Sequence, residues 1–152
     1  MDIPVLFEDE DILVVNKPAD MPVHPSIGNY TNTLANGIAA YLEAKGEICP
    51  FRCINRLDRD TSGALILAKN ALSAAVLSVQ ALIMSNSRFA VLKINVAFNH
   101  RIGHTADYLY NPVYDTFKRQ PLHSLQLEFR HPITGQEMCL MAPVPEDISK
   151  VF

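Results

Sequence analysis

Two hydrophobic periods run along this chain. Val5–Phe7 and Ile12–Asn16 are short apolar runs on either side of an acidic turn, Glu8–Asp11, and predict two strands. Lys17 and Pro18 end the second, because proline has no N–H for a ladder. Pro18, Pro22 and Pro25, followed by Gly28 and Asn29, predict an extended loop. Leu34, Ile38, Tyr41 and Leu42 recur at helical spacing, which predicts a helix starting near Thr31–Thr33 and stopping at Gly46. Ala64–Lys69 predicts a buried strand, and Asn70 can cap a second helix. In that helix Leu72, Val76, Val79 and Ile83 form one apolar stripe, assigned to the core. Phe89–Phe98 predicts another strand, and Asn99–Pro112 a loop. Leu125, Leu127 and Phe129 alternate with polar residues, residues 132–135 turn the chain, and Met138, Leu140 and Ala142 alternate again, so 124–142 predicts a hairpin.

Composition narrows the class. A chain of 152 residues with 49% apolar residues builds one domain with a real core, and disorder is excluded. With no repeat and no linker, strands interleaved with helices predict one α+β domain, a mixed, mainly antiparallel sheet flanked by helices. The net charge of −3 does not advertise a strongly basic nucleic-acid binder, although a local patch remains compatible with it. No apolar run is long enough to span a membrane, and the acidic start MDIPVLFEDED lacks the basic region of a signal peptide. Cys49, Cys53 and Cys139 fit neither a disulfide framework nor a zinc pair, so reduced thiols and a cytoplasmic setting are expected.

One stretch breaks the even spread of charge. Arg56, Asp58, Arg59 and Asp60 crowd into five residues before Thr61, Ser62 and Gly63 and the buried run that follows. Turn formers and opposite charges describe a solvated surface connection. They equally describe a carboxylate kept ionised by arginines that also bind phosphate, a set suited to chemistry on a nucleotide ribose. Physical chemistry alone does not choose.

The wording of the stretch carries more. "NRLDRDTSG" followed by "LILAKN" resembles the signature H/N-R-L-D-x-x-T-S-G of the RluA-like family of RNA pseudouridine synthases. Upstream, "ILVVNKPADMPVHPS" and "NTLANGIAAYL" resemble that family's strand, loop and helix. Downstream, "RQPLHSLQLEFRHPITGQEMCLMAPVPED" resembles its C-terminal strands. The resemblance implies a pseudouridine synthase catalytic domain that isomerises uridine to pseudouridine in rRNA or tRNA, with no metal and no organic cofactor. It implies that Asp58 is the catalytic carboxylate, acting either by attack at C1′ or by removal of the C2′ proton. Arg56 would engage the extruded nucleotide. The RNA-facing set it implies is Asn55, Arg56, Leu57, Arg59, Thr61, Ser62, Gly63 and Phe89. Within it, Thr61–Gly63 shape the loop behind Asp58, and Phe89 stands where the family has a base-stacking tyrosine. Asn55 stands where many members have histidine.

The centre departs from the family pattern. "SRFAVLKINVAFNHRIGHTADYLYN" passes almost directly between blocks that the family separates by a longer segment, and Asn95 fills the position of a family arginine. Residues 1–152 are therefore expected to form one catalytic domain with an internal deletion around 85–100. This leaves a second reading, a catalytically impaired paralogue that binds RNA without isomerising it. His100 and His104 have helical metal-ligand spacing, but Gly103 and the loop context argue against a metal. His24 and His123 are expected to be structural. Lys17, Arg119 and Arg130 are expected to be solvated charges.

Overall fold

The computed structural model describes residues 2–86, 93–97, 119 and 122–150, with the backbone alone described for 83–86 and 93–97. Phe89, His100, Gly103 and His104 lie outside the described residues. Six strands and three helices follow in the order β1 (Val5–Glu8), β2 (Ile12–Lys17), α1 (Leu34–Ala44), β3 (Ser62–Ala68), α2 (Ala71–Asn86), β4 (Lys93–Ala97), β5 (His123–Arg130), β6 (Glu137–Met141) and α3 (Glu146–Ser149). One sheet holds all six strands in the order β1-β2-β3-β5-β4, with β6 paired to β5. Every pairing is antiparallel except β3 with β5. The fold is α+β, as the periodicities predict.

The β2–β3 pair is the centre, and both of its faces are covered. Ile12, Val14, Ala64, Ile66 and Ala68 face one side and pack with Leu77 of α2 and Leu127 and Phe129 of β5. Leu13, Val15, Leu65 and Leu67 face the other and pack with Leu34, Ile38 and Leu42 of α1. Burial on both faces is why Ala64–Ala68 reads as a continuous apolar run rather than an alternating one. α1 begins at Thr33, whose hydroxyl accepts from the Asn36 amide while the Asn36 side chain accepts from Thr33, a reciprocal cap. Asn70 caps α2 by accepting from the Ser73 amide at 2.8 Å.

α2 departs from expectation. Leu72 and Val79 are exposed, and the buried positions are Ser73 and Leu77. The helix ALSAAVLSVQALIMSN contains no charged residue, so apolar side chains lie on more than one face and spacing alone cannot say which face meets the sheet.

β5 pairs with β3 only through Ser62↔His123 and Gly63↔Ser124, then pairs with β6 over Gln126–Arg130. The rest of the β3 edge is closed by the preceding segment. Ile54 N–H donates to Ile66 O, Ala68 N–H donates to Arg52 O, and Cys53 bridges Leu67. Asn55 completes this edge: its amide donates to Ala64 O at 3.2 Å and accepts from Ile66 N–H at 2.8 Å.

Gly63 lies at φ 112°, and a Cβ there would sit 2.3 Å from Ser124 O. Strain and clash act together, so Gly63→Ala should destabilise the protein by about 3 kcal/mol or more in urea unfolding. A loss below about 1 kcal/mol, the scale of an ordinary surface substitution, would contradict this close approach.

Glu8 ties β1 to α1 and to the β3–α2 connection. Its carboxylate accepts from Tyr41 at 2.6 Å, Lys45 at 2.7 Å and Lys69 at 3.1 Å. Burial raises its pKa, but the hydrogen bonds from Lys45, Tyr41 and Lys69 outweigh burial and bring it from 4.5 to about 2. The folded value is depressed, so this contribution is fully present above pH 4.5 and is lost as pH falls towards 2. Melting temperature should fall across that window, and Glu8→Gln should flatten the fall. A wild-type profile that Glu8→Gln leaves unchanged would remove Glu8 as its source.

Candidate active site

The charged loop is built on a polar row across the sheet. Lys17 is the Cα partner of Gly63, and Gly63 is the partner of Ser124. Lys17, expected to be solvated, is 0% exposed. Its ammonium donates to the carbonyls of Pro18 at 2.9 Å, Met21 at 2.7 Å and Arg59 at 2.9 Å, which uses all three protons. Met21 N–H also donates to Arg59 O at 3.1 Å. A buried charge without partners would cost several kcal/mol, and the three carbonyls offset that cost. Burial still lowers the Lys17 pKa from 10.5 to about 8, against the opposing pull of Asp60 and Asp58.

Arg119, also expected on the surface, is the second correction. It forms a two-pronged pair with Asp147, Nε to Oδ2 at 2.6 Å and Nη2 to Oδ1 at 3.0 Å, and donates to Asp60 O at 2.8 Å. It thereby joins the charged loop to α3. Ser62 and His123 lie beneath: Ser62 Oγ is 2.9 Å from His123 Nδ1, and His123 Nε2 donates to Ala142 O at 3.3 Å. That donation leaves Nδ1 as the acceptor of the Ser62 hydroxyl. Burial lowers the His123 pKa, so the ring stays neutral, in the structural role expected of it. Arg130 is a surface charge, as expected.

The remaining loop residues divide cleanly. Asn55, Thr61, Ser62 and Gly63 are buried, and Leu57 packs on the α1-side core. Their polar groups serve the sheet edge and the floor rather than the surface, which corrects their place in the RNA-facing set. Arg59 is exposed and paired with Asp20 at 2.7 Å. Arg56 and Asp58 are exposed, and among the described residues neither side chain has an ion-pair or hydrogen-bond partner. The charge cluster thus separates into groups that tie the loop down and two opposite charges left facing outward.

The model of the family described as RNA pseudouridylate synthase matches residues 11–89, just over half of the chain, and spans β2, the loop and β3. The chain belongs to the RNA pseudouridylate synthase family. An uncharacterized RNA pseudouridine synthase of Bacillus subtilis, YhcT, is 27% identical over 215 residues, covering 99% of this chain and 71% of the relative. Ribosomal large subunit pseudouridine synthase D of Zymomonas mobilis is 28% identical over 232 residues, covering 99% and 73%. The solved structure of human RNA Pseudouridylate Synthase Domain Containing 4 matches with a TM-score of 0.60 at 13% identity, covering 97% of this chain and 91% of that one, a likeness of fold.

Two other places in this pseudouridylate synthase fold were weighed as sites. Asp9, Asp11 and His131 bring candidate ligand atoms within 4.8 Å of one another. Asp9 already accepts from Asp11 and Ile12 and pairs with His131 at 2.8 Å, and Asp11 accepts from Asn70, so these groups are spent on joining turns. A cleft of about 600 Å³ between Pro18, Ser62, Arg119 and Pro143 carries Asp2, Glu146 and Asp147, a lining that repels phosphate. Asp58 does not line it. No described helix is long and apolar enough to cross a membrane.

Lys17→Met removes a buried charge of matching length, so the core should survive. The loop should loosen: amide hydrogen exchange at Met21 and Thr61 should accelerate while the β2–β3 amides stay protected. Unchanged exchange at Met21 and Thr61 would show that the ammonium does not hold the loop.

Proposed function

We propose that this chain isomerises uridine to pseudouridine in RNA with Asp58 as the catalytic carboxylate. The observation that carries the reading is an outward, unpartnered Asp58 on a loop held from beneath by Lys17 and Arg119. In the reaction the N1–C1′ bond breaks, the base turns, and a C5–C1′ bond forms; C5 loses its proton and N1 gains one. An ionised Asp58 serves either attack at C1′ or removal of the C2′ proton. The uridine must leave its stack to reach it. The exposed Arg56 engages the nucleotide's phosphate or the space it vacates. Arg59 is a weaker phosphate contact, because its pair with Asp20 is solvent-exposed and easily exchanged. Asn55, Leu57, Thr61, Ser62 and Gly63 set the loop's position, and Phe89 supplies the stacking ring. The name of the Zymomonas relative supports rRNA as substrate, with tRNA the other class; a cytoplasmic setting and chemistry without metal or cofactor belong to the same reading.

Residues 1–152 constitute, on this reading, one catalytic domain lacking a central segment around 85–100. Two facts support this. The family match stops at residue 89. The alignment with the Bacillus relative runs over 215 positions although the chain has 152 residues, so the relative carries residues with no counterpart here. The shortened centre and Asn95 in the place of an arginine favour the second reading, RNA binding without isomerisation.

Incubating folded protein with rRNA and tRNA lacking pseudouridine, then separating the nucleosides, distinguishes the two. Asp58→Ala should reduce pseudouridine formation by at least roughly a hundredfold and leave RNA affinity largely intact. Binding without any product in the wild type selects the second reading.

A further inference from the structure

Between β2 and α1 the chain makes an excursion whose purpose neither the core nor the loop geometry explains. Its ends meet: Pro22 O and Val23 O accept from Leu34 N–H at 2.8 Å and Ala35 N–H at 3.1 Å. Its base is fastened to the catalytic loop by Met21, which donates to Arg59 O, and by the Asp20–Arg59 pair. Its tip is rigid. Ser26 and Asn29 exchange two backbone hydrogen bonds, at 3.2 and 2.9 Å, and Gly28 takes φ 82°, the positive value required at the third position of a type II turn.

The side chains on this tip are the wrong kind for a solvated turn. Turn tips favour small polar residues. Here Ile27 is 96% exposed and Tyr30 is 64% exposed, three residues apart. Below them the ring of His24 meets Phe51 edge-on, with centroids 5.2 Å apart, which carries the ring-bearing surface onto the segment leading to Arg56. Residues 21–33 hold no charge, whereas Arg52 and Arg56 follow close behind Phe51. Apolar and aromatic side chains beside arginines are how single-stranded nucleic acids are held: bases stack, and cations neutralise phosphates.

We propose that the tip carrying Ile27 and Tyr30 is a stacking surface for RNA bases flanking the target uridine. This rests on the reading that the chain acts on RNA, and the test separates the two. The probe is a fluorescein-labelled ten-residue oligouridylate, titrated at several salt concentrations. The double variant Ile27→Ser/Tyr30→Ala should melt as the wild type does, since both side chains face solvent, and should bind roughly tenfold more weakly, the loss of about one stacked base. Its salt slope should stay unchanged, because the lost contact is not ionic; Arg56→Gln should flatten the slope. Tyr30→Phe keeps the stacking face and should bind as the wild type does, an arm that holds even where the double variant folds poorly. If the wild type binds the oligonucleotide and forms pseudouridine but the folded double variant binds equally well, or if Tyr30→Phe loses as much affinity as the double variant, the stacking surface is refuted and the proposed function stands. A folded wild type that neither binds nor modifies RNA overturns both.

Discussion

Three positions in register across the sheet hold the rest of this molecule in place: Lys17 on β2, Gly63 on β3 and Ser124 on β5. The missing side chain of Gly63 lets β5 approach β3, which brings the C-terminal hairpin under the charged loop. The ammonium of Lys17 then fixes the loop itself, gathering carbonyls from both sides of it. Backbone contact on one side and a buried cation on the other leave the loop little freedom at its base. Rigidity at the base is what a reacting carboxylate needs, because small misplacements of such a group cost large factors in rate.

The concentration of charge in Arg56–Asp60 follows from a division of labour. Arg59 reaches outward to Asp20, and its carbonyl accepts from Lys17. Asp60 offers its carbonyl to Arg119. The backbone is thus held by buried or half-buried cations from distant parts of the chain. The side chains of Arg56 and Asp58 are spared for solvent. A loop tethered through its carbonyls keeps its carboxylates free, whereas a loop tethered through side-chain ion pairs would neutralise the groups it presents.

Much of this was legible in the sequence, and the exceptions have physical causes. The strands at Ile12–Lys17 and His123–Arg130, the caps Thr33 and Asn70, and the hairpin turn before β6 follow from local chemistry that acts within a few residues. The orientation of α2 did not follow, because a helix without charge has no polar face to point outward. Lys17 misled because lysine is almost never fully buried, and its acceptors include a carbonyl 42 positions away. Arg119 misled for the same reason, with Asp147 and Asp60 both remote in sequence. Asn55 stood inside a motif, yet its amide serves as a piece of strand. Periodicity carries no information about a side chain that imitates backbone.

That imitation bears on how the chain tolerates change in its length. The edge of β3 from Ala64 to Ala68 is closed by residues 52–55, all drawn from sequence that precedes it. Nothing downstream of α2 supplies those bonds. A stretch added to or cut from the chain beyond α2 therefore strips no hydrogen bond from this part of the sheet, and the folding of the N-terminal half is insulated from it. Evolution can edit the middle of such a gene in frame while the loop before β3 keeps its shape.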